Sequence, residues 1–179
     1  MWNKTILYIS CVAIILSIAC GDVPQCNRQI PLIDNYDATK MVGFWNVQYT
    51  GNEEKSKKAC MVATITAQEN QLTLDEAGFI DGELDHCVVT LTQLKSTSEY
   101  VGESKEFPPS SVWIIGTDYS SYSVFFLCKN GHKQDGIMFF CTRDKNPTFE
   151  VLENARNAII KAGLMIGDDY LFPVDNSNC

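Results

Sequence analysis

His86 and Cys87 are adjacent, and a histidine beside a cysteine is the combination from which a base-activated thiol nucleophile is built. The local pattern works against that chemistry. Positions 84–93 alternate as a strand does, and strand neighbours project to opposite faces, so imidazole and thiol would not meet. The other histidine, His132, stands at no recognisable catalytic spacing. Zinc chemistry fares no better, since no two of Cys26, Cys60, Cys87, Cys128, Cys141 and Cys179 lie two to four residues apart. These residues point away from an enzyme and from a metal site, and towards a protein that needs no cofactor for its own chemistry.

The cysteines instead suggest an oxidising compartment. Lys4 precedes an apolar run over 6–19 interrupted only by Ser10 and Ser17, and the small residues Ala19-Cys20-Gly21 follow, which is the pattern of a secretory signal peptide. That run is shorter than the roughly 20 residues a membrane span requires, and no later stretch replaces it, so no transmembrane segment is expected. Positions 1–20 are read as the leader and 21–179 as one secreted, extracellular domain, long enough to bury a sizeable core. Cys11 and Cys20 would leave with the leader, and the even number remaining is expected to form disulfides whose connectivity the sequence does not select. The formal net charge is −8, and loss of Lys4 makes it more negative. A nucleic acid or an anionic membrane needs a basic face, so neither is expected as a partner.

The elements that position these residues are mostly strands. Runs rich in Val, Ile, Thr, Phe and Tyr predict strands at about 43–50, 60–67, 71–76, 84–93, 98–104, 111–119, 121–129 and 136–143. Asp81-Gly82 and Asn130-Gly131 are tight hairpin turns, and Pro108-Pro109 marks a loop. The helix comes last: Asn146-Pro147-Thr148 starts it, Phe149, Leu152, Ile159 and Ile160 form its apolar stripe, and Gly163 ends it. Strands first and one late helix exclude alternating βαβ units. The expected fold is all-β, an eight-stranded antiparallel up-and-down β-barrel with one C-terminal α-helix packed outside, because closure removes exposed edges. Such a barrel can hold one small ligand. An immunoglobulin-like sandwich is the alternative, but it gives no role to the helix or to Trp45.

Three segments in order sharpen this reading. Asn35-Tyr36-Asp37 with Lys40-Met41-Val42-Gly43-Phe44-Trp45 resembles the first lipocalin motif, Ser111 to Tyr119 followed by Tyr122 resembles the second, and Cys141-Thr142-Arg143-Asp144 resembles the third. The chain is thus similar to the lipocalins from about Cys26 to Cys179, and within them to the apolipoprotein D group and its insect relatives, the lazarillo-type and bilin-binding insecticyanin-type proteins.

The resemblance implies structural work for most motif residues. Trp45, following Gly43, would plug the closed end of the barrel with Arg143 lying across it as a cation–π partner. Thr117, Asp118 and Tyr119 would form a hairpin loop at that end, a segment that some family members present to a cell-surface receptor. The resemblance also implies the disulfides Cys26–Cys128 and Cys60–Cys179. Elimination then pairs Cys87 with Cys141, although a barrel would place them near opposite ends, and two free buried thiols or a connectivity unlike the family's stay open as alternatives.

Its function would be binding and transport of a small hydrophobic ligand, a lipid, sterol, retinoid or bilin. Alternation from Trp45 turns Val47 and Tyr49 inward, the resemblance adds Phe139, and Trp113 and Phe126 complete the expected ligand-binding set, all with plain core packing as the competing reading. The lysines of 53–58 would lie at the open mouth, either as a solvated loop or as receivers of a ligand carboxylate. A lipocalin-type enzyme using a pocket cysteine, or an effector that binds proteins through its loops, are the alternative functions.

Overall fold

Alternating β-branched and aromatic residues do build a barrel. The computed structural model of the chain describes residues 29–129, 136–164 and 170–179. Its strands are β1 (Gly43–Thr50), β2 (Ala59–Gln68), β3 (Gln71–Ile80), β4 (Glu83–Gln93), β5 (Glu99–Glu103), β6 (Ser110–Thr117), β7 (Tyr122–Lys129) and β8 (Gly136–Thr142). Each pairs antiparallel with the next, and β1 pairs with both β2 and β8, which closes the ring. A short β9 (Phe172–Pro173) extends the sheet beside Tyr49 and Thr50 of β1.

The hairpin at Asp81-Gly82 shows why β3 runs further than its composition suggests. Both turn residues adopt positive φ, 53° and 83°, so a two-residue turn suffices and the ladder continues to the pair Ile80 and Glu83. The second turn dipeptide, Asn130-Gly131, falls outside the described residues, as do the leader and Cys26.

Two helices accompany the strands. A single turn, α1 (Glu53–Ser56), follows β1, with the Asn52 side chain accepting from the Lys55 amide at 2.9 Å; composition had suggested only a loop there. The long helix α2 (Phe149–Lys161) starts on Thr148, whose hydroxyl accepts from the Val151 amide, and ends before Gly163 at φ 70°. Its buried face is Ala155, Ala158 and Ile159, with Leu152 packed beside them. The expected stripe is corrected here: Phe149 and Ile160 are 77% and 63% exposed. Ile160 stands about 100° round the helix from Ile159, so the two do not share a face.

Apolar side chains divide into two layers. Trp45, Val47, Met61, Ile65, Leu72, Leu91, Val112 and Phe125 fill the barrel interior. Ile115, Val124, Phe126, Met138 and Phe140 form the outer face of the β6–β8 wall, on which α2 lies.

Cys60 and Cys179 are bridged across 119 positions of sequence, tying the C-terminal tail to β2. A closed loop of that length contributes about 4–5 kcal/mol in the chain-entropy model. Cys128 is also disulfide-bonded. Cys87 and Cys141 are not: the pairing reached by elimination is replaced by two free, buried thiols. They sit on β4 and β8, which three strands separate in either direction round the ring, so they face each other from opposite walls.

Candidate functional site: a barrel interior closed at one end

β1 begins and β8 ends at the same end of the barrel, and that end is sealed by side chains. Trp45 is fully buried there, its indole N–H donating to the Met41 carbonyl at 2.9 Å. The Arg143 guanidinium carbon stands 3.7 Å from the centroid of the indole. Its nitrogens donate to the carbonyls of Lys40 (3.2 Å), Val42 (3.0 Å), Phe44 (3.0 Å) and Tyr119 (3.2 Å). One guanidinium thereby holds together the lead-in turn over Ala38–Met41, the start of β1 and the β6–β7 loop. Gly43 makes the approach feasible, since its φ is 112° and a β-carbon there would lie 2.9 Å from Arg143 Nη1.

The β6–β7 loop is organised from within. One Asp118 carboxylate oxygen accepts from the amides of Ser120 (3.0 Å), Ser121 (2.7 Å) and Tyr122 (3.1 Å), and the Ser121 hydroxyl donates to the other. Burial alone would raise the pKa of Asp118, but these donors outweigh it and hold the carboxyl below its usual range. The Thr117 hydroxyl donates to the Tyr122 carbonyl and accepts from the Tyr119 amide. The Tyr119 hydroxyl accepts from the Asp37 amide, while its ring lies beside that of Tyr36, and Tyr36 accepts a 2.8 Å bond from the buried Tyr100 hydroxyl. Burial pushes the Tyr100 phenol up to about 12, so it stays protonated at neutral pH.

Above this floor lies a cavity of about 210 Å³. Val47, Ala63, Leu74, Val89, Leu91, Val112, Phe125, Leu127, Ile137 and Phe139 supply its apolar wall. Polar groups gather among its other lining residues: Asn52, Lys55, Glu76, Glu106 and the two thiols, with Phe107 beside them. An apolar hollow with a few placed polar groups is the usual form of a small-molecule site.

The mouth lysines are committed to carboxylates. Glu76 Oε1 receives Lys58 Nζ at 2.9 Å and Lys55 Nζ at 3.4 Å, and Lys58 reaches Asp85 at 2.6 Å. Burial works to lower the Lys58 pKa, but the bonds to Asp85 and Glu76 prevail and raise it. Lys57 pairs with Glu54 at 2.8 Å on the exposed side of α1. None of the three is left to meet a ligand carboxylate unpaired.

Neither thiol is poised as a nucleophile. Burial raises the Cys87 pKa, and the Glu106 and Glu76 carboxylates raise it further against a small opposing effect of Ser104. Burial likewise pushes Cys141 far up, with Glu76 adding to it. A catalytic thiol needs the opposite shift.

Of the residues expected at the ligand, Val47 and Phe139 line the cavity. Tyr49 does not, because β1 bulges between Val47 and Tyr49, which breaks the alternation and turns Tyr49 outward to stack on Phe140 at 5.6 Å. Trp113 and Phe126 are register partners whose rings meet at 6.0 Å on the outer wall, so they support α2's side of the barrel and not the ligand. Their neighbours Val112, Phe125 and Leu127 take the inward positions. Alternation alone gives two possible faces for β6 and β7, and the pairing of the ring selects the one that carries Val112, Phe125 and Leu127. Glu76 and Glu106 carried no local signal, since nothing in their own segments marks which polar side chains face inward.

Among the described residues no group of three or more acidic, cysteine or histidine ligands could hold a metal, and no helix is long and apolar enough to cross a membrane. A family model, the lipocalin / cytosolic fatty-acid binding protein family, matches residues 42–175. The chain belongs to that family. No individual curated protein matches it. Solved structures similar in fold include insecticyanin from the tobacco hornworm Manduca sexta (TM-score 0.71, 15% identity, covering 88% of this chain and 91% of that one). Lobster apocrustacyanin A1 is similar at TM-score 0.69 and 14% identity, covering 90% and 94%. The siderocalin Ex-FABP is similar at 0.61 and 19%, covering 78% and 93%. Fold, family and cavity together define a small-ligand-binding protein.

Proposed function

We propose that this protein is a secreted carrier that takes up one small hydrophobic molecule, a lipid, sterol, retinoid or bilin, inside its barrel. The apolar-walled cavity above Trp45 is the observation that carries the reading. The leader-like N-terminus and the Cys60–Cys179 bridge support export, because disulfides persist in oxidising compartments. Crustacyanin and insecticyanin share the fold, and the siderocalin Ex-FABP functions through dual ligand specificities. The cysteine-enzyme alternative draws no support from two thiols whose pKa values are both raised.

Titration of the secreted protein with retinol, a sterol, a fatty alcohol and biliverdin, followed by tryptophan quenching and native mass spectrometry, tests the reading. At least one class is expected to bind one-to-one at about micromolar affinity, near −8 kcal/mol. Phe139→Ala should weaken that binding several-fold and Tyr49→Ala should leave it unchanged. Absence of saturable binding for every one of these classes and for a cationic amphiphile would refute the carrier function.

A further inference from the structure

We infer that the guest of this cavity is an apolar body ending in a cation, an ammonium or quaternary amine, and that Glu106 receives that end. The inference deepens the carrier reading and rests on it.

Charge pairing around the hollow decides the sign. Among the described residues the charged groups that line it are Lys55, Glu76 and Glu106, with Lys58 and Asp85 paired behind them. Glu76 is shared by Lys55 and Lys58, and Asp85 is joined to Lys58 at 2.6 Å. Both ammoniums are thereby used, and Lys57 is turned outward to Glu54. Glu106 lines the same cavity and takes part in no ion pair among the described residues. Its backbone N–H donates to the Ser104 hydroxyl at 3.0 Å, and its carboxylate stands close enough to the buried Cys87 thiol to act on its pKa.

A ligand carboxylate entering here would meet an unpaired like charge, and the ammonium that lines the cavity, Lys55, already serves Glu76. A neutral end would leave Glu106 as it stands. A cationic end completes the pairing with no rearrangement. The exposed position of Glu106 beside Phe107 lets the charged end stay partly hydrated while the body fills the wall of Val89, Phe125 and Phe139. The acidic surface of the whole chain, formally −8, favours the approach of a cation.

The test displaces an uncharged fluorophore, N-phenyl-1-naphthylamine, from the full secreted protein with three ligands of equal chain length: dodecyltrimethylammonium, dodecanol and dodecanoate. The ammonium should displace it at about tenfold lower concentration than either of the others, and added salt should narrow the gap. Glu106→Gln should bring the ammonium and alcohol midpoints together, whereas Lys57→Gln should not. Dodecanoate or dodecanol matching the ammonium in the wild-type protein overturns this inference while leaving the carrier reading intact. Failure of the fluorophore and of all three ligands to bind overturns both.

Discussion

The stem of Lys58 occupies the space that a side chain at position 78 would fill: a β-carbon on Gly78 would stand 2.4 Å from Lys58 Cγ and 2.5 Å from its Cδ. The missing side chain on β3 is what lets a lysine with 1% exposure reach both Glu76 and Asp85. Gly78→Ala should therefore destabilise the fold by about 1–3 kcal/mol, because overpacking also pulls the ammonium from its two carboxylates. Urea denaturation of Gly78→Ala, Lys58→Ala and the double variant checks this. Strongly non-additive losses are expected, and simple additivity would show that the two residues do not share one space.

Arg143 offers a second measurement. Arg143→Met keeps an apolar body against Trp45 but leaves four carbonyls without their donor, so a loss of about 2–4 kcal/mol is expected. Arg143→Lys should recover little of it, since one ammonium does not reproduce the planar fork. Trp45 emission, shifted to longer wavelength as water reaches the floor, would accompany the loss; an unchanged spectrum and unchanged midpoint would argue against the sealing role.

Acid should open the β6–β7 loop. The folded-state pKa of Asp118 lies below its unfolded value of about 3.9, so its contribution is fully present above that value and is lost as pH falls through the folded pKa. Asp118→Asn should lower the melting temperature near neutrality and reduce its decline towards acid pH. A variant whose melting temperature falls with acid as steeply as that of the wild type would place the acid sensitivity elsewhere, for instance at Asp37, Asp85 or Asp175, whose pKa values are also lowered.

Much of the architecture was legible in local chemistry. Strand composition, the Asp81-Gly82 turn and the cap at Thr148 each act within a few residues, so eight strands and one long helix could be read with small errors at their ends. The interior was less legible. A single bulge after Val47 reversed the face of Tyr49, and only pairing with β8 shows it. The same is true of the breadth of α2's buried face, where Ala155 and Ala158 matter more than the larger Phe149 and Ile160.

What the amino-acid order determined by itself is therefore the alternation, the turns, the caps and the motif set of Gly43, Trp45, Thr117, Asp118, Tyr119 and Arg143, because steric and hydrogen-bonding preferences of the chain are local. What only the tertiary structure decided is which groups meet: Lys58 with Glu76 and Asp85, Tyr49 with Phe140, and Cys87 kept apart from Cys141. Closing eight strands into a ring brings distant positions together or holds them on opposite walls, and burial then sets the charge of the groups that line the hollow.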